Sequence, residues 1–504
     1  MKKFTLTVIL FILTLLLFPA GAYAREGICG YEGGISSGEV SGKTTYDYQE
    51  VSFITGKPVV FKGSLIIKKQ VRQDKTTTTY TYSLKSGDST LTRVLAFDTT
   101  ATKAENGQTT EMVSFSKTPT ETIKIGGVTY TLRKANGYDF TRSNLIDEKP
   151  AVNYHAGSIW SKKVYVIGGQ EEDTVTVECT GDFYGYDQYW GNAESLLLDY
   201  TIEGDIGSKK DSWGGTASVA ISSTSVEQLE YQENKPDQIS FSGSFVQSRA
   251  NTSVLEYTCK LNEFDSKGIA TDNMLTYTDS LKLETFPVQK RLPTVASASF
   301  AGHWAENEIR LMFGLEVFKG SGASFKPDQY MSRAEFAAAM MQVARAVPPD
   351  PALTTRTTAR TTTKKETVVS PFNDVSIDNA YFTQIKGAYD RGLLSGKGYN
   401  LFGPNDTITR ADAAVAFIRA LGFESLAPSP TAVTGFRDND LIPAHARNAA
   451  YVAKKIGLLQ ADAKGNMNPS KKLTKAEGAS LFETLIQYLQ EGIKKDYMER
   501  LVNY

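Results

Sequence analysis

Three short stretches near the C-terminus decide the reading of this chain: Met331-Ser332-Arg333-Ala334-Glu335, Ile408-Thr409-Arg410-Ala411-Asp412 and Leu473-Thr474-Lys475-Ala476-Glu477. Each runs apolar, hydroxyl, cation, alanine, carboxylate. Pro327, Pro404 and Pro469 stand six residues before the three cations, and Phe325, Phe402 and Met467 stand two before the prolines. Three copies of one pattern mean three copies of one structural unit. A Ser or Thr followed three residues later by Glu or Asp is a capping box, in which the hydroxyl accepts from the N3 backbone N–H and the carboxylate accepts from the N-cap N–H. The pairs Ser332/Glu335, Thr409/Asp412 and Thr474/Glu477 therefore predict three helix starts. Phe336, Met340, Val343 and Val347 recur at helical spacing after the first, as do Leu481, Phe482, Leu485, Ile486 and Leu489 after the third. The second, 413–421, is alanine-rich and apolar, which predicts a buried helix.

The cations Arg333, Arg410 and Lys475 fall at the first helical position, where the helix dipole is already positive. The dipole gives no reason for a cation there. Beside free N–H groups it makes an anion site; the plainer alternative is a side chain lying over a neighbouring carboxylate. Repetition at fixed distance from a proline favours an anionic ligand.

These residues, with Gly302-His303-Trp304-Ala305 and Gly320 in the first copy, Phe372-Asn373-Asp374-Val375, Gly392 and Gly396 in the second, and Phe436-Arg437-Asp438 and Gly457 in the third, resemble a triple S-layer homology module. The resemblance covers roughly the last two-fifths of the chain. It implies an all-α, three-lobed prism whose grooves bind anionic secondary cell-wall polysaccharide through a pyruvate ketal, with the box arginine meeting the carboxylate. It implies Arg333, Arg410, Lys475, Trp304, Gly320 and Gly396 as polysaccharide contacts, and S-layer proteins as further partners. The copies differ. Ala380 and His445 stand where the first has Trp304, and Ala461 stands where the others have Gly320 and Gly396. Lys475 replaces arginine and, as a point charge, cannot bind a carboxylate bidentately. The third groove is expected to be the weakest.

The remaining chain sets the context. At 504 residues it is long enough for several domains. A formal net charge of -1 gives no global field toward nucleic acid or an anionic membrane. Residues 1–24 read as a secretory signal: Lys2-Lys3, an apolar run from Val8 to Leu17, then Ala22-Tyr23-Ala24. A secreted, wall-associated protein is expected, with no membrane span after cleavage. Cys29, Cys179 and Cys259 are an odd number, so at least one is unpaired; Cys179 and Cys259 are either bridged or buried thiols. No spacing suggests a metal, and no cofactor is implied.

From 25 to 287 the sequence reads as antiparallel β, a sandwich or barrel, in short alternating runs separated by Gly, Asn and Asp. Gly126-Gly127 between Ile125 and Val128 signals a hairpin. Val60 to Leu65, Glu178 to Phe183 and Ser240 to Phe245 resemble one another, as a duplication or by chance. The aromatic run Asp182 to Trp190 reads either as a sugar-stacking platform or as a cluster covering a sheet. His155 is the only histidine before the repeats, so no catalytic triad is expected, and Asp182, Asp187 and Glu194 give no preferred glycosidase pair. The expected order is a β region at 25–287, a linker at 288–294, a repeat at 295–347, a Thr-rich disordered linker at 348–370, a repeat at 371–424, a linker at 425–434, a repeat at 435–490 and a tail at 491–504 running along the outside. The alternatives to a structural or binding role for the β half are an anchored polysaccharide-degrading enzyme and a carbohydrate-binding adhesin.

Overall fold

The computed structural model describes residues 33–37, 44–72, 75–105, 107–208, 211–233, 243–285, 287–346, 369–428 and 432–502. The leader, Cys29, Ser240 to Ser242 and nearly all of the Thr-rich segment lie outside the described residues.

The N-terminal half is one large antiparallel sheet. Its first strands are β1 (Ile35–Ser36), β2 (Thr45–Ser52), β3 (Val59–Arg72), β4 (Lys75–Ser86), β5 (Ser89–Lys103) and β6 (Gln108–Phe115). A hairpin, β7 (Thr120–Ile125) and β8 (Val128–Leu132), precedes β9 (Tyr138–Glu148), β10 (Val152–Ile167), β11 (Gln170–Gln188) and β12 (Gly191–Ile206). The sheet ends with β13 (Asp211–Gln232), β14 (Ser244–Phe264), β15 (Ala270–Glu284) and β16 (Val288–Arg291). Strands pair almost entirely with their sequence neighbours; the β7–β8 hairpin bridges one end of β5 to β10 while β6 and β9 bridge the other. The turn at Gly126-Gly127 has φ of 56° and 84°, and Ile125 pairs with Val128 across it, a geometry only glycine adopts freely.

Period-2 alternation is the cause of the sheet's two faces. In β13, Ala217, Val219 and Ile221 are buried while Thr216, Ser218 and Ser222 face solvent. The inward face is rolled into one core shared by strands from Ile35 to Leu283. Phe53, just past β2, lies 5.9 Å from Tyr200 and 5.8 Å from Tyr257, so the first strands close against the last. It is one continuous sheet, and among the described residues β1 and β15 are not hydrogen-bonded to each other. Cys179 and Cys259 share one cross-strand row through Tyr200 and Ala217. That places them three strand spacings apart, about 14 Å, so no disulfide joins them and both are buried thiols.

Inside this roll sits an ion network. Arg93 donates to both oxygens of Glu50 (2.8 and 2.9 Å) and to Glu121 (2.6 Å), and Lys163 reaches Glu121 at 3.4 Å. Burial alone would raise the Glu121 carboxyl; Arg93 and Lys163 outweigh it and hold it down at about 2.

The C-terminal part is helical: α1 (Glu306–Gly314), α2 (Arg333–Val343), α3 (Phe382–Asp390), α4 (Arg410–Leu421), α5 (Ala444–Lys455) and α6 (Lys475–Gln487). A π-helical turn, Tyr488–Gly492, leads into α7 (Ile493–Val502). The helices α2, α4 and α6 meet at Phe336, Phe417 and Phe482, whose ring centroids lie 5.1 to 6.1 Å apart.

The two halves are not joined by a free linker. Val288–Arg291 pairs with β14, Leu292 donates to the Phe245 carbonyl (2.9 Å), and one apolar core runs from Tyr154, Tyr186 and Trp190 into the helices. The sheet also caps the helix C-termini, whose last carbonyls have no partner within the helix. Trp190 Nε1 donates to the Val343 carbonyl (2.9 Å), Tyr154 Oη to Leu421 (2.9 Å) and the Ala151 amide to Ala420 (2.9 Å), while Gln188 Nε2 reaches the Leu489 carbonyl within the π-helical turn. The aromatic run 182–190 is therefore mostly spent inside the molecule: Phe183 in the β core, Tyr184 and Tyr186 against Tyr497, Trp190 against α2. The C-terminal tail does not run along the outside. Ile493 and Tyr497 are buried, and Arg500, 5% exposed, pairs with Asp147 of β9. The burial pays for an otherwise isolated ten-residue helix.

Two outcomes follow from this packing. Trp190→Ala removes a buried indole and a helix cap together and should cost about 3–5 kcal/mol. Helical and β signals in circular dichroism should melt together in the parent and shift together in the variant; a helical transition left unmoved would refute the shared core. Glu121→Gln should cost about 3–5 kcal/mol near neutral pH by leaving Arg93 and Lys163 under-compensated. Because the folded-state value is depressed, this stabilisation is complete above about pH 4.5 and is lost as pH falls toward 2. Urea unfolding at several pH values should show the gap between parent and variant closing on acidification.

Candidate functional site

The three box segments form one ring. Met331 donates to the Leu473 carbonyl (2.9 Å), Leu473 to Ile408 (3.1 Å), and Ile408 to Met331 (3.1 Å). Each helix start is then completed by the next copy. The N1 amides of Arg333, Arg410 and Lys475 donate to the carbonyls of Asp406, Lys471 and Gln329 at 2.7, 2.9 and 2.9 Å. The N2 amides of Ala334, Ala411 and Ala476 donate to Pro404, Pro469 and Pro327, each at 3.0 Å. The N3 amides go to Ser332 Oγ, Thr409 Oγ1 and Thr474 Oγ1, all at 3.2 Å, and Glu335, Asp412 and Glu477 accept from the N-cap amides. The fixed cation-to-proline spacing thus has a structural cause. It also corrects one premise of the sequence reading: the first three N–H groups of these helices are occupied, and an anion there would have only side chains to meet.

The cations reach across the same seams. Arg333 is 6% exposed; its Nε donates to the Phe402 carbonyl (2.9 Å) and its Nη2 to Ser395 (2.8 Å), with Nη1 3.8 Å from Asp412. Arg410 is only partly covered. Its Nη2 donates to the Gln460 carbonyl (2.6 Å), while its Nε is buried without a hydrogen-bond partner. Lys475 reaches the Glu335 carboxylate at 2.8 Å. Burial lowers the pKa of both arginines, opposed for Arg333 by Asp412, Asp406 and Asp374 and for Arg410 by Glu477, Asp462 and Asp438. Both remain cations, since guanidinium loses its proton only far above neutrality.

The glycines differ in kind. Gly320 has φ of 93° and open space where a Cβ would point, whereas a Cβ at Gly396 would meet the Leu401 carbonyl and Phe372, each at 2.8 Å. Trp304 is 63% exposed beside His303, which contacts Asp328 (3.4 Å) next to the Pro327 loop. Sequence reasoning missed the role of two aspartates. Asp374 accepts from the Phe402 and Gly403 amides (2.8 and 2.7 Å), and Asp438 accepts from Met467 and Asn468 (both 2.7 Å). The signal was the shared Phe-x-Asp of copies two and three, replaced by Phe300-Ala301-Gly302 in copy one.

In the β half, Asp187 and Glu194 flank His155 at 3.6 and 3.5 Å, and His155 is buried. Asp182 lies on the exposed face of the same strand. Among the described residues, no group of three His, Cys, Asp or Glu side chains is placed to hold a metal, and no helix is long and apolar enough to cross a membrane.

The model of the S-layer homology domain matches residues 300–337 and 371–414, the first two of the three copies. The chain carries S-layer homology repeats, a domain that indicates cell-surface anchoring. The surface-layer 125 kDa protein of Lysinibacillus sphaericus is 26% identical over 131 residues, 25% of this chain and 11% of that protein. Exoglucanase XynX of Acetivibrio thermocellus is 23% identical over 252 residues, 47% of this chain and 21% of the enzyme. An amylopullulanase of Thermoanaerobacterium thermosulfurigenes is 26% identical over 189 residues, 37% and 9%. The chain therefore spans about a fifth or less of the length of these relatives.

The geometry separates the two arginines. Arg333→Ala should unpair the buried Phe402 carbonyl and release the Ser395 carbonyl, lowering the melting temperature by several degrees, at about 1–3 kcal/mol for the buried group. Arg410→Ala should cost markedly less stability. Differential scanning calorimetry of both variants checks this, and equal losses would contradict it.

Proposed function

We propose that this chain is a secreted cell-envelope protein, held non-covalently to an anionic, pyruvylated secondary cell-wall polysaccharide by the seams of a three-lobed helical module. The rolled β sheet is presented outward as a structural or binding domain. The contact set is Arg333, Arg410, Lys475, Trp304, Gly320 and Gly396, and S-layer proteins are candidate neighbours. The observation that carries the reading is Arg410: a cation on an inter-copy seam that stays partly exposed, with Nη2 spent on the Gln460 carbonyl. A sugar-borne carboxylate there would gain charge-assisted bonds of about 1.5–3 kcal/mol each.

A non-catalytic β half fits the packing of Asp187 and Glu194 around a buried histidine, at 3.6 and 3.5 Å, within the sheet. The enzymes among the relatives are matched over too little of their own length for their names to describe this sheet.

Isothermal calorimetry with isolated pyruvylated wall polysaccharide tests the reading. Arg410→Ala should weaken binding tenfold or more, Lys475→Ala less, and mild-acid removal of pyruvate should weaken the parent. Undiminished binding by Arg410→Ala, or equal binding of depyruvylated polymer, would sink the anion-seam mechanism.

A further inference from the structure

The loop that Arg333 holds by the Ser395 carbonyl continues into a tight hairpin, Lys397-Gly398-Tyr399-Asn400-Leu401. Its three central residues have φ of 100°, 51° and 56°. Glycine and asparagine tolerate the left-handed region; tyrosine does not adopt it without strain. The turn is nevertheless fixed. The Lys397 amide donates to the Leu401 carbonyl (2.7 Å), Leu401 to Gly398 (3.0 Å), and Asn373 to the Asn400 carbonyl (2.8 Å).

Tyr399 gains nothing from the fold in return, because it is 96% exposed. The corresponding loops lack such a residue: copy one runs Ser321-Gly322-Ala323-Ser324 and copy three Asp462-Ala463-Lys464-Gly465. Single exposed apolar side chains are ordinary; one held rigidly on strained backbone is not. Two more partly exposed apolar side chains border the same loop. Leu401 closes the hairpin, and Tyr389 packs on Phe372 (5.0 Å), which in turn lies against Gly396. A charged rim, Lys397 with Asp406 at 2.5 Å, stands alongside.

We propose that Tyr399 is a stacking platform for one pyranose ring of the wall glycan, adjoining the seam between the first and second copies. An aromatic face without hydrogen-bond demand suits the apolar C–H face of a sugar, whose hydroxyls then lie toward Lys397 and Asp406. A rigid ring loses little entropy on binding, which is the use to which the strain is put. This rests on the anchoring reading above, and it assigns specificity for a sugar ring to a residue outside the repeated box.

The test uses the full chain, isolated pyruvylated wall polysaccharide, calorimetry, and three variants. Tyr399→Asn keeps a residue that accepts the left-handed backbone, so its melting temperature should hold or rise while binding weakens roughly three- to tenfold. Tyr399→Phe keeps the ring and should bind within twofold of the parent. Unweakened binding by Tyr399→Asn overturns the proposal, as does a loss in Tyr399→Phe equal to that of Asn. Arg410→Ala in parallel separates the two claims. If it binds weakly while Tyr399→Asn binds like the parent, the stacking idea alone fails. If it binds like the parent while only Tyr399→Asn is weak, the anion-seam mechanism fails and stacking stands. A parent that binds no polymer overturns both.

Discussion

A helix leaves its first N–H and last C=O groups without partners, and this chain satisfies both sets from outside the helix that owns them. At the N-terminal ends of α2, α4 and α6 the N1 and N2 amides find carbonyls of the next copy, including all three proline carbonyls. At the C-terminal ends of α2 and α4 they are an indole N–H, a phenol and a backbone amide, all from the β half. No copy can therefore finish its own helix alone. The ring must close for the N-termini, and the sheet must dock for the C-termini. Cooperativity is built in at the level of single backbone groups, before any hydrophobic burial is counted.

The sheet contributes its own constraint. A rolled sheet of this size needs an interior that fixes register, because a one-residue slip exchanges its faces. Apolar rows alone would accept several registers. The Arg93 guanidinium, seated between Glu50 on β2 and Glu121 on β7, accepts one. Charged groups removed from water gain little net stability against an apolar replacement but lose much when mispaired. The network is best understood as a register lock whose failure would be costly, rather than as a source of stability.

What could be read from sequence divides along the same lines. The capping boxes and the Gly126-Gly127 hairpin are local, so a few adjacent residues specify them. The β character of the first half was legible from alternation. The ring was not, because a proline carbonyl six residues ahead of a cation does not announce which copy's amide it meets. The docked tail was misread for a related reason. Lys494, Lys495 and Arg500 look like a solvated face, and only the fold brings Asp147 to Arg500. Arg93 carried a usable signal: it occupies the inward phase of Leu91-x-Arg93-x-Leu95-x-Phe97, where a charge requires a buried partner.

The three seams share a scaffold but not an electrostatic state. Arg333 has exchanged its exposure for two carbonyl bonds and lies near Asp412, so its charge is mostly internal to the fold. Lys475, shorter and monodentate, is paired with Glu335. Arg410 has taken one carbonyl and stays partly exposed. The aspartates beneath follow a different order: Asp374 and Asp438 brace copies two and three, while copy one has Gly302 there and an exposed Trp304 two residues on. A polymer crossing all three seams would meet a structural cation, an available cation and a neutralised cation in turn. On the anchoring reading proposed above, the repeated backbone bonds with unequal side chains leave Arg410 the cation most open to a ligand, while Arg333 mainly holds the ring together. The same box residue can then be indispensable to the fold in one copy and to the ligand in another.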